Sequence, residues 1–134
     1  MANHLLPLAK AKILSKLIDL SPTGDTIKVV LVASTHTPSD AQEFLSDIPS
    51  GKRLAVSPAL TSKTVTAGLF DAADTTWTAV PSGHTGSYAY GFLDTGTDTT
   101  SPLIWIEDTG TNIPITTNGG DITCQFNASG IFQI

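Results

Sequence analysis

From Thr26 onward the chain repeats one pattern. A short apolar stretch rich in β-branched residues is followed by Gly, Pro, Asp, Asn or Ser, and then by another such stretch. TIKVVLVAS (26–34), GKRLAVSPAL (51–60), KTVTAGLF (63–70), TTWTAV (75–80), SYAYGFLD (87–94), PLIWIED (102–108), DITCQF (121–126) and GIFQI (130–134) all fit it. Segments this short cannot be helices of ordinary length. Strands recurring at roughly ten-residue intervals with turn chemistry between them predict a β-sandwich or barrel. The twenty threonines agree, because threonine suits a pleated, half-exposed surface. At 134 residues the chain suits one domain and can bury a core of its own. Cys124 is the only cysteine, so no internal disulfide forms and the fold must rest on packing.

The first twenty residues read differently. In HLLPLAKAKILSKLIDL the apolar positions Leu6, Ala9, Ile13 and Leu17 recur at three- and four-residue steps, and Leu14 and Ile18 widen the stripe. Pro7 is tolerable in a first turn. Asp19 and Ser21-Pro22-Thr23-Gly24 supply the stop signal. The expectation is an N-terminal helix or arm over 1–20, followed by an antiparallel β-sandwich over 21–134, mainly β overall. SDAQEFLSDI (39–48) is ambiguous. Ser39 is a candidate cap for a short helix that would turn Phe44, Leu45 and Ile48 inward.

Charge is distributed unevenly. All seven Lys and Arg lie at or before Lys63, whereas Asp71, Asp74, Asp94, Asp98, Glu107, Asp108 and Asp121 carry every formal charge after it. Net charge is −5. An acidic half repels phosphate, so no nucleic-acid partner is expected. No apolar run approaches the length that spans a bilayer, and lysines interrupt the N-terminal apolar stretch where a signal peptide would not. The expectation is a soluble chain made in a cytoplasm, with no membrane partner.

No catalytic constellation stands out. The tetrapeptide Asp-Thr-Gly-Thr occurs twice, at 94–97 and 108–111, and resembles the loop of aspartic proteases. The copies are too close to belong to two lobes, and no later apolar-apolar-Gly strand follows. Each copy comes directly after an alternating strand pattern, and Asp, Thr and Gly are turn formers in their own right. His4, His36 and His84 have no motif neighbours and read as exposed loop residues. Cys124 alternates with Ile122 and Phe126 and reads as a small core residue. The pairs Asp71/Asp74, Asp94/Asp98 and Glu107/Asp108 lack the spacing of a calcium loop. The expectation is a non-enzymatic β domain with no cofactor and no metal.

Several stretches carry a resemblance. EFLSDI (43–48), SPALTSKTV (57–65), GLFDAAD (68–74), SPLI (101–104) and NGGDIT (118–123), in this order and spacing, are similar to a family of small structural proteins of tailed bacteriophages. The likeness covers roughly residues 26–134. It implies a virion structural protein and brings no catalytic residues with it. Within that class the physical expectation is a capsid cement or decoration protein. It would bind the major capsid protein on the outer shell surface as a homo-oligomer, with a trimer suited to local three-fold axes. Its location would be the virion capsid surface, after synthesis in the host cytoplasm. The candidate contacts are Leu6, Lys10, Ile13, Lys16 and Leu17 of the arm. Trp77, Tyr88, Tyr90 and Trp105 are candidate anchors that are better read as core. The alternative is a tail, fibre or adhesion component in which those aromatics stack on a host-surface glycan.

Overall fold

A computed structural model describes residues 4–109 and 112–134. The chain is mainly β, with several antiparallel sheets and one α-helix near the N-terminus among the described residues. The strands are β1 (His4–Leu5), β2 (Ile27–Ala33), β3 (Arg53–Val56), β4 (Thr64–Thr66), β5 (Leu69–Asp71), β6 (Thr75–Trp77), β7 (Thr85–Leu93), β8 (Leu103–Glu107), β9 (Ile115–Thr116), β10 (Ile122–Cys124) and β11 (Phe132–Gln133). Helix α1 spans Pro7–Leu14.

The central sheet runs β1-β8-β7-β2-β3, and β9 pairs with one end of β7. Strands β2 and β8 are buried almost throughout, which explains their nearly unbroken apolar sequences. One face carries Trp105, which packs against Phe70 of β5 and Phe132 of β11 with ring centroids 5.8 and 5.7 Å apart. That face is covered by two small sheets, β11-β5-β4 and β10-β6. Trp77 of β6 is fully buried and donates its indole N–H to the Val29 carbonyl at 3.1 Å. The second face carries Tyr88 and Tyr90 and is covered by the segment between β2 and β3. There the His36 ring meets both tyrosines edge-on, and the Tyr90 hydroxyl donates to Gln42. The sandwich therefore has a sheet on one side and a well-packed loop on the other.

Gly91 shows how closely β7 and β8 fit. It pairs with Trp105, and a Cβ at this position would fall inside the indole ring. Only glycine leaves room for that ring to lie flat over the sheet.

Four local expectations need correction. Helix α1 ends at Leu14 and does not continue to Asp19. The cause is a Schellman closure: the Lys16 N–H bonds the Ile13 carbonyl and the Leu17 N–H bonds the Lys12 carbonyl, with Lys16 in the left-handed region at φ 64°. KTVTAGLF is two strands, because Ala67 and Gly68, both at positive φ, form a two-residue hairpin turn between β4 and β5. No helix starts at Ser39. A single 3-10 turn forms later, at Leu45–Asp47, where the Asp47 carboxylate accepts from the Glu43 and Phe44 N–H groups. Leu45 and Ile48 do face inward. His36 is buried, and desolvation holds its imidazole below the ordinary value.

Candidate interaction surface

The N-terminal segment is built into the fold at its start. Strand β1 pairs with β8, the Leu6 N–H donates to the Ile104 carbonyl at 2.8 Å, and Leu6 and Ala9 are core residues. Lys12 pairs with Glu43 and lies over the Phe44 ring, tying the helix to the loop layer. The Schellman turn then changes the direction of the chain, and its consequence is exposure. Leu17 is thrown outward at 67% exposure and Leu14 stands at 78%, while Ile18 and Leu20 return to the core.

Beside that turn lies an open groove of about 490 Å³. One wall is Ile13, Lys16 and the chain from Ile18 to Ser21; the other is Val65, Gly68, Phe70, Phe132 and Ile134. The lining is largely apolar. Val65 and Ile134, at its outer lip, are 52% and 62% exposed. Asp19 is also on the wall, and N–H and hydroxyl donation from Ser21 holds its carboxyl below the usual range. Among the described residues, the side-chain ammonium groups of Lys16 and Lys10 have no hydrogen-bond or ion-pair partner. The other cations are engaged: Lys28 with Asp94, Arg53 with Asp98, Lys52 with the Thr35 hydroxyl and Lys63 with the Asp25 carbonyl.

The candidate contacts named from sequence thus separate. Leu6 is withdrawn into the core and offers no surface. Ile13 is half-buried and lines the groove. Lys10, Lys16 and Leu17 are exposed. Sequence periodicity placed Leu17 on the inward stripe of a longer helix, and only the left-handed Lys16 turns it out. Val65 and Ile134 carried no sequence signal, because their role depends on residues more than forty positions away.

Other motifs resolve into local structure. Asp94 of the first Asp-Thr-Gly-Thr accepts from the Gly96 N–H and pairs with Lys28 at 2.6 Å; that lysine holds its carboxyl below the usual range. This is a turn acceptor tied to a cation. The second copy lies partly outside the described residues. Asp71, Asp74 and Asp121 accept from the N–H groups of Ala72, Phe126 and Ala79, so they brace loops. Trp77, Tyr90 and Trp105 are core, and Tyr88 is half-buried against His36, leaving no broad aromatic platform among the described residues. Cys124 is buried, and desolvation pushes its thiol far up, with the charges of Glu107 and Asp74 acting in the same direction. Glu107 is a buried carboxyl whose one described donor is the Trp105 indole N–H at 3.2 Å. Burial pushes it up to about 7. His84 is exposed, as expected, and His4 contacts Asp40 at 2.8 Å.

No protein-family model matches the chain, and no curated protein matches it.

Proposed function

We propose that this chain is a virion structural protein of a tailed bacteriophage, of the cement or decoration type. It binds the major capsid protein on the outer surface of the shell through the exposed side of its N-terminal segment. The resemblance of residues 26–134 supplies the class. The observation that carries the role is the surface around α1. Two leucines stand more than half exposed beside an apolar groove, with Lys10 and Lys16, whose side chains have no partner among the described residues, near them in the chain. Apolar surface rimmed by polar groups marks an interaction site. Elsewhere, several carboxylates brace turns and the large aromatics Trp77, Tyr90 and Trp105 are in the core. A trimer on the local three-fold axes remains the proposed assembly.

The deciding measurement is copy number per particle, by quantitative mass spectrometry of purified virions against the major capsid protein. Hundreds of copies in simple ratio to the shell subunit support the reading, and a handful moves the chain to the tail or neck. The surface itself is tested by Leu14→Glu with Leu17→Glu. Both positions are exposed, so the double variant should fold normally and lose shell binding. Deleting residues 1–20 is not a clean test, because it also removes β1 and the core residues Leu5, Leu6, Ala9, Ile18 and Leu20.

A further inference from the structure

Residues 35–42 form a flap over the second face of the central sheet. Backbone bonds fix its two ends: the Ser34 N–H donates to the Thr85 carbonyl, and the Glu43 carbonyl accepts from the Leu103 N–H at 2.8 Å. Between those ends, among the described residues, the flap's backbone–backbone bonds only close local turns. Side chains hold it down. The Thr35 hydroxyl accepts from Lys52, Asp40 meets His4, and His36 is the one side chain of the flap that is buried. The His36 ring stands edge-on to Tyr88 and Tyr90, with centroids 6.5 and 6.0 Å away. The anchor of the flap is therefore a titratable group.

The bonds around His36 fit the neutral imidazole. Gln42 is the link. Its Oε1 accepts from the Tyr90 hydroxyl at 3.2 Å and from the Ser39 N–H at 3.3 Å, which uses both lone pairs. Its amide Nε2 lies 3.1 Å from His36 Nε2, closer than Oε1 at 3.4 Å. An amide nitrogen only donates, so His36 Nε2 is the acceptor and the ring proton sits on Nδ1. Protonating Nε2 sets two N–H donors against each other. Turning the amide over relieves that clash but takes the acceptor from Tyr90 and Ser39.

Among the described residues, no carboxylate bonds the ring to receive its charge. The groups around it are Tyr88 and Tyr90 of β7 and the Lys52 ammonium, which opposes a second positive charge. Asp40, on the flap itself, is engaged with His4 of β1. Desolvation keeps the imidazole below its ordinary 6.5, and Lys52 acts in the same sense. Below pH 6.5 a lifted flap takes up a proton that the seated flap refuses, so seating weakens as the pH falls.

We propose that residues 35–42 are an acid-released flap. Protonation of His36 breaks its link through Gln42 to Tyr90, lifts the flap between its fixed ends and uncovers Tyr88 and Tyr90. The His4–Asp40 contact does not drive the release, since charging His4 strengthens it while Asp40 stays ionised. The device is independent of what the chain binds.

The test is an NMR titration of the isotope-labelled full chain from about pH 7.5 to about pH 4.5. At the upper end the ring-nitrogen shifts of His36 should report a proton on Nδ1. As the pH falls, the amides of 35–42 and the ring signals of Tyr88 and Tyr90 should change together with the His36 ring, while the Trp77 and Trp105 indole signals hold. His36→Gln keeps an acceptor for the Gln42 N–H and does not titrate, so it should lose the transition. It retains His4, whose own titration is thereby subtracted. Gln42→Glu sets a carboxylate against the ring and still accepts from Tyr90 and Ser39. It should raise the His36 midpoint by about one pH unit or more and keep the flap seated after protonation. That variant carries the test if His36→Gln fails to fold. A proton on Nε2 at the upper end, an unchanged 35–42 segment throughout, or the same transition in His36→Gln overturns the flap. So does an unmoved midpoint in Gln42→Glu.

Discussion

Glu107→Gln should reverse sign in its effect on stability as pH rises. Glu107 is 7% exposed on β8, between the central sheet and the layer that holds Cys124. Its carboxyl titrates near an ordinary 4.5 when unfolded and is pushed up to about 7 when folded, chiefly by desolvation. Below pH 4.5 both states are protonated and the group contributes nothing to the pH dependence. Between 4.5 and about 7 the folded state keeps a proton that the unfolded chain has released, so stability falls as pH rises. Above about 7 both states are ionised and the loss is complete, at about 3 kcal/mol. Glutamine does not titrate. Its amide oxygen can still accept from the Trp105 indole, but its NH₂ gains no described acceptor, at a cost of about 1–2 kcal/mol. The variant is therefore expected to be less stable than wild type near pH 4.5 by about that cost, and more stable near pH 8 by about 1–2 kcal/mol. Urea unfolding at half-unit pH steps, read by tryptophan fluorescence, measures the difference. Other groups titrate within or below this range, and their contributions cancel in the wild-type-minus-variant difference. Asp94 and Asp47, with lowered values, contribute stability that is lost as acid protonates them. His36, also lowered, contributes stability that is present above its ordinary 6.5 and lost as pH falls. A wild-type-minus-variant difference that stays flat from pH 4.5 to 8 would refute the buried-carboxyl argument.

Two further substitutions test the backbone reasoning. Lys16→Gly relieves a left-handed lysine at the helix end and should stabilise the chain by about 0.5–1 kcal/mol in the same unfolding assay. Gly91→Ala places a methyl group where the Trp105 ring lies. It should cost about 2–3 kcal/mol and alter the near-ultraviolet circular dichroism of that indole.

The mainly β architecture was legible because its signals are local. IKVVLVA and LIWIE are apolar apart from Lys28 and Glu107, as strands largely covered on both faces are, and Asp94-Thr95-Gly96 turns the chain by its own chemistry. The presence of an N-terminal helix was legible for the same reason, and so was the burial of Cys124, Trp77 and Trp105. The extent of the helix was not. A left-handed lysine has no sequence signature of the kind glycine provides, and that one residue decides whether Leu17 faces the core or the solvent. His36 sits among polar neighbours in a segment that reads as an exposed loop. It is buried because that segment must cover Tyr88 and Tyr90, which lie more than fifty residues further along. The groove joins Ile13–Leu20 to Val65–Phe70 and Phe132–Ile134. Periodicity and turn chemistry act over a few neighbouring residues, so they determined what the pieces of this protein are. Which edge stayed open, and what lies beside it, was decided only when chain segments far apart in sequence competed to cover the same sheet.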